Sequence, residues 1–271
     1  MSISDISLTA GMRNNLLALQ STSSQISTTQ ARLSSGKKVN TALDNPTNFF
    51  AAQAATNRAS DLNDRKDGMS EAVQTIQAAN QGITSITSLI QAAKGLASSA
   101  SSTSDTLSQL TYESQFLQIT SQITTLASDS SYRGTNLLTA GTLSIEFSQK
   151  TGDANLTING FKGNATSLGV SSTVNWAISG NAASASTYMD TALTTLRTQS
   201  STLAANLSVI TSRQDFTNNM INTLQTGADN LTLADMNQEG ANMLMLQTRQ
   251  SLGTTALSLS SQAAQSVLRL F

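Results

Sequence analysis

The side chains best placed to do chemistry in this chain are three cations in one short stretch, Arg32-Leu33-Ser34-Ser35-Gly36-Lys37-Lys38. The chemistry they offer is ion pairing. Catalysis has little to work with, because the chain contains no histidine and no cysteine. Ser–His–Asp triads, Cys–His pairs and histidine-based metal sites are therefore excluded by composition. The 16 acidic residues are scattered along helical faces rather than gathered in pairs, and no glycine-rich phosphate loop is present. No catalytic, cofactor-binding or metal-binding residue is assigned, and no cofactor is expected. The cations Arg32, Lys37 and Lys38 have two readings. One is a solvated loop between helices. The other is a contact in which they meet carboxylates on a neighbouring molecule, where charge fixes register more than it adds affinity. Asp44, Asp61, Asp64 and Glu239 are the acids that could answer them, and the sequence does not choose among them.

The elements around this stretch are helical. Apolar residues recur at steps of three and four through most of the chain. The first stripe runs Met12, Leu16, Leu19, Ser23, Ile26, Gln30, Leu33 and ends at Gly36, a left-handed C-terminal residue. The next helix starts at Asp44-Asn45-Pro46, where Asp or Asn caps free amides and proline fits the first turn. It is expected to reach about Ala97, so it is roughly 75 Å long and the molecule a rod. A Ser-rich break at Ser98–Asp105 precedes a shorter helix through Phe116, Ile119, Ile123 and Leu126, which ends before a turn at Tyr132-Arg133-Gly134. Between about 139 and 185 the period changes to two. Residues 143–147 and 155–158 read as a hairpin turning at Gly152-Asp153, with a third strand near Val174–Ile178 holding Trp176. Helix returns at about Thr187 with a heptad-like stripe, Leu193 to Leu224, that Gly227 breaks. A last helix from about Thr232 carries Leu252, Ala256, Leu259, Ala263, Val267 and Leu270.

The fold class that follows is mainly α. A long antiparallel helical hairpin or coiled-coil bundle pairs the N- and C-terminal helices, with a small β-hairpin insert. The expected domains are 1–40 with 232–271 as a terminal coiled coil, 41–138 with 186–231 as a helical rod, and 139–185 as a short insert. The stripes on 69–97 and 193–224 are intramolecular core. Those on 16–33 and 252–270 cannot bury both faces alone and are expected to serve partly as intersubunit contact. The interface residues are thus Leu16, Leu19, Ile26, Leu33, Leu252, Leu259, Val267 and Leu270, with Arg32, Lys37, Lys38 and Asp44 at the loop.

The bulk numbers narrow the partners. With a net charge of −1 and a pI near 5.4, the chain lacks the cationic surplus that nucleic-acid binding needs. No window approaches a membrane span, and the N-terminus lacks a basic n-region and an unbroken apolar core for a cleaved signal. The sequons at Asn155 and Asn164 are expected by chance in so Asn- and Thr-rich a chain.

Several spaced motifs resemble bacterial flagellin. Arg32-Leu33-Ser34-Ser35-Gly36-Lys37-Lys38-Val39-Asn40 followed by Asp44 resembles that family's RLSSG-x-[RK]-[IV]-N…D signature. Tyr132-Arg133-Gly134-Thr135-Asn136-Leu137-Leu138 resembles its turn after the second core helix. Gln250, Gly253, Leu259, Gln262, Ala263 and Val267-Leu268 are similar in spacing to its tail. Asn45-Pro46-Thr47 departs from the small-residue run usual after the family's Asp. The resemblance implies a self-assembling filament subunit, exported unfolded through the flagellar type III apparatus and secreted to the extracellular flagellum. Its implied partners are further copies of itself, an export chaperone, the cap protein and the hook-junction proteins. The alternative it leaves is the hook–filament junction protein, which shares the terminal pattern. Lys94-Gly95-Leu96-Ala97 stands where many members carry an Arg-x-Leu-Ala type motif read by an innate-immune receptor. With no acidic residue near Leu117-Gln118, it implies doubtful recognition by that receptor.

Overall fold

The computed structural model describes residues 10–148, 155–170, 175–178 and 180–268, without the side chains of 264, 267 and 268. Five helices and two strands follow in order: α1 (Ala10–Ser35), α2 (Pro46–Ser102), α3 (Thr106–Asp129), β1 (Thr142–Glu146), β2 (Asn155–Asn159), α4 (Asn181–Thr232) and α5 (Met236–Leu268). The described chain is mainly α, with one antiparallel two-stranded sheet. It divides into two compact units, one of residues 1–57 with 223–271 and one of residues 58–222.

Local chemistry sets the helix ends. Gly36, at φ +71°, donates its N–H to the Arg32 carbonyl at 2.8 Å and closes α1. Asn45 caps α2: its Oδ1 accepts from the Asn48 N–H at 3.1 Å, and Pro46 takes the first helical position, where its missing N–H is not needed. Asp105 caps α3 by accepting from the Ser108 N–H at 2.9 Å. Serine and threonine are tolerated within these helices because many bond back one turn, as Thr56 does to Ala52 O and Thr87 to Ile83 O.

The 58–222 unit holds the main core. Met69, Ile76, Ile86 and Ile90 of α2 face Phe116 and Ile123 of α3 and Met189, Leu196, Leu203 and Ile210 of α4. Side-chain pairs fix α2 and α4 as antiparallel: Gln214 donates to Ser70 at 3.0 Å, Ser200 to Asn80 at 3.4 Å, and Lys94 pairs with Asp190 at 2.5 Å. The hairpin pairs Thr142 with Asn159 through Glu146 with Asn155, and its period-two faces bury Ile145 and Ile158. Glu146 pairs with Arg65 of α2 at 2.5 Å, and Arg213 of α4 lies 5.3 Å over the Phe147 ring, so both helices hold this end of β1. Arg133 in the turn after α3 pairs with Glu71.

Three sequence expectations need correcting. Residues 175–178 are a turn, with Trp176 buried against Phe116 at 4.9 Å and its backbone N–H donating to Glu113 Oε2 at 3.0 Å. No third strand forms there among the described residues. Gly227 does not break α4, which continues to Thr232. One helical glycine costs only about 1 kcal/mol, which the helical residues on either side, with Ile221 and Ala228 buried, together offset. Helix α4 also begins at Asn181, before the Thr187 expected from the apolar stripe, because Ala182 and Ala185 bury small surfaces that periodicity does not weigh. The proposed turn residues Gly152 and Asp153, together with Val174, lie outside the described residues.

Candidate assembly surface

The unit containing both chain ends is built on α1 and α5, which pack against each other. The pairs Arg32–Glu239 and Leu19–Gly253 show that they run antiparallel. Gly253 lets the helices approach closely at this crossing: a Cβ there would stand 2.6 Å from Leu19 Cδ2, and the leucine side chain would have to shift. Met12 and Thr29 of α1 and Leu246 of α5 are buried. Leu19, Ile26 and Leu33 are half-buried. Beyond that seam the apolar residues face solvent: Leu16 is 38 % exposed, Leu252 65 % and Leu259 62 %, with Leu17 and Leu244 also exposed. The side chain of Val267 and the whole of Leu270 lie outside the described residues. The sequence put the Leu252–Leu259 stripe on a contact face, and no part of the described chain covers it.

The loop between α1 and α2 is closely tied down. Lys38 and Val39 donate their N–H groups to Thr232 O at 2.7 and 3.2 Å, and Ala234 N–H reaches Gly36 O at 2.9 Å. Val39 is buried beneath the loop. Asp44 Oδ2 accepts from Asn40 N–H at 3.0 Å, Thr41 N–H at 2.8 Å and Thr41 Oγ1 at 3.1 Å. The backbone bonds from Thr41 and Asn40, first in that order, hold the Asp44 carboxyl below its ordinary value, with a small further contribution from Arg32.

Of the four acids proposed for the cations, Glu239 forms an ion pair with one of them. Arg32 pairs with Glu239 at 3.2 Å, and Glu239 is 8 % exposed. Its second oxygen, Oε2, is buried without a hydrogen-bond donor. Lys38 donates to Asn230 O at 3.2 Å, satisfying a carbonyl in the last turn of α4. Lys37 is exposed and makes no ion pair among the described residues. Asp44 is occupied by its own loop. Sequence reasoning missed Leu43 and Phe50, which are 94 % and 61 % exposed. Neither falls on a helical stripe, so periodicity carried no signal for them.

An open cleft of about 380 Å³ beside the Arg32–Glu239 pair is lined by Ser24, Thr28, Asn242 and Met245 among others. Among the described residues there is no cluster of metal-ligating side chains, and no helix is long and apolar enough to cross a membrane.

Comparison with known proteins gives a consistent result. The profile of the bacterial flagellin N-terminal helical region matches residues 6–142, and that of the C-terminal helical region residues 186–271. Flagellin FljK of Caulobacter vibrioides is 29 % identical over 272 residues, covering 100 % of both chains. A flagellin of Brucella melitensis is 28 % identical over 268 residues, covering 94 % of this chain and 95 % of its own. The crystal structure of Bacillus cereus flagellin superposes with a TM-score of 0.49 at 18 % identity, over 55 % of this chain and 88 % of that one. With both of its helical ends matched by family profiles and relatives aligned along its whole length, the chain belongs to the bacterial flagellin family, whose members are structural subunits of the extracellular flagellar filament and polymerise with themselves.

Proposed function

We propose that this chain enters the filament through α1, α5 and the loop at 36–45, and that the filament serves swimming motility. The observation that carries this reading is the uncovered face of the terminal helices. Leu252 and Leu259 stand off the seam of a helix pair already filled by Met12, Thr29 and Leu246, and Leu16, on the same stripe as Met12, is left 38 % exposed at its edge. Uncovered apolar helix faces are costly in water and mark contact surfaces. Within the filament, the part-exposed edges of Leu19, Ile26 and Leu33 take part in the contact, Val267 and Leu270 join it on the strength of the sequence stripe alone, and Arg32, Lys37, Lys38 and Asp44 form its loop end. A contact that does not close on itself yields a helical polymer.

Export completes the reading. The chain leaves the cell unfolded through the flagellar type III apparatus, held by an export chaperone, and polymerises beneath the cap protein on the hook-junction proteins. The absence of cysteine suits a protein that must pass through an oxidising boundary without crosslinking.

Seeded polymerisation tests the reading. Purified full-length chain, given salt and sheared filament seeds, is expected to form long uniform filaments in negative-stain electron microscopy. A copy lacking residues 1–30 and 240–271 is expected to form none. Restored swimming in cells lacking their own flagellin, with the chain recovered from the filament fraction, tests motility and export. Filaments from the truncated copy would contradict assembly through the terminal helices.

A further inference from the structure

Leu43 is 94 % exposed, the most exposed of the large apolar side chains in the described chain. It stands on a loop that has little freedom to move. Asp44, the next residue, binds three donors of that loop, from Asn40 and Thr41. Lys38 and Val39 are bonded to Thr232, and Asn45 opens α2 immediately afterwards. A leucine on a floppy loop would be unremarkable. One held out by so many backbone bonds has already lost the freedom that binding would otherwise take away. Nothing in the packing of the loop needs this side chain: Val39, four residues earlier, supplies the buried contact.

We propose that Leu43 is a knob by which one copy of this chain grips the next, and that Asp44 is the positioning residue that aims it. The inference rests on the self-assembly reading and deepens it. The occupant is a second copy for three reasons. The family polymerises with itself. The loop lies in the same compact unit as the uncovered leucines of α1 and α5. Phe50, 61 % exposed near the start of α2, adds a further uncovered apolar group to that unit. The flanking Lys37 and Lys38 outnumber the single Asp44 carboxylate, so the loop is net cationic.

The cysteine-free chain offers a direct test. A Leu43→Cys variant carries one thiol, and its reaction with a maleimide is followed in monomer and in polymer grown from purified chain alone. The expected result is fast labelling in the monomer and strong protection in the filament. A Leu43→Ser variant should melt as the parent does, since the side chain touches nothing in the monomer, yet its critical concentration for assembly should rise about tenfold or more. Asp44→Ala should weaken assembly with Leu43 intact, and Asp44→Asn, which keeps an acceptor oxygen, should restore it. Equal thiol labelling in monomer and filament, or Leu43→Ser polymerising as the parent does, overturns the knob. If the parent chain forms no polymer, the self-assembly reading fails first and this inference falls with it.

Discussion

At the scale of single residues, three positions make measurable demands. Asp44 has its carboxyl pKa lowered by the backbone N–H groups of Thr41 and Asn40. Its contribution is therefore complete above the ordinary carboxylate value of about 3.9 and is lost as pH falls through the lower folded value. The protection of the Asn40 and Thr41 amides, taken relative to their intrinsic exchange, should hold down to that ordinary value and fall at more acid pH, and Asp44→Asn should remove the acid-side change. Glu239 is the second. Replacing it by Ala leaves the Arg32 guanidinium without its carboxylate. Because Arg32 is 39 % exposed, the loss should be moderate, about 1–2 kcal/mol in chemical denaturation. Gly253 is the third: Gly253→Val drives a branched side chain into Leu19 and should cost about 1–3 kcal/mol, read as earlier melting of the α1–α5 pair. The sequence named Glu239 only as one of four acids. Its pairing with Arg32, 207 positions away, is set by the register in which the antiparallel ends close, which residue types alone do not encode. Leu43 was illegible for another reason: exposure is a property of the folded chain, and a leucine in a loop has no period to betray it.

At the scale of elements, hydrophobic spacing carried most of the fold. The stripes through Met69, Ile76, Ile83 and Ile90 and through Leu193, Leu196, Leu203 and Ile210 are the buried seams of α2 and α4. The strands at 142–146 and 155–159 likewise fall where alternation begins. The start of α4 and its passage through Gly227 were less legible, because alanine and glycine carry little weight in an apolar pattern. In the structure Gly227 has open space where a Cβ would stand. Gly227→Ala should therefore stabilise the chain by about 0.5–1 kcal/mol in thermal unfolding. Ile86 is fully buried in the core of the other unit, and Ile86→Ala should cost about 2–5 kcal/mol. Together the two substitutions separate the weak local penalty of a helical glycine from the larger contribution of core packing.

At the scale of the whole molecule, the two units differ in where their apolar residues lie. The continuous buried core lies wholly within the 58–222 unit, which still exposes Leu107, Ile178 and Phe216 among others, while the unit of the two ends has no such core among the described residues and leaves leucines uncovered on both terminal helices. A chain with a net charge of −1 has little self-repulsion to keep such faces apart. The measurement that tests this most directly is the critical concentration for assembly of a Leu252→Ser/Leu259→Ser variant beside the parent, by sedimentation of filaments from monomer. Each leucine removed from an interface is worth about 1.5–3 kcal/mol. The account predicts a monomer with unchanged helical content and a critical concentration raised by roughly a hundredfold or more. Filaments forming at the parent's concentration would show that the exposed face of α5 is not where one copy meets another, and would contradict the account at its centre.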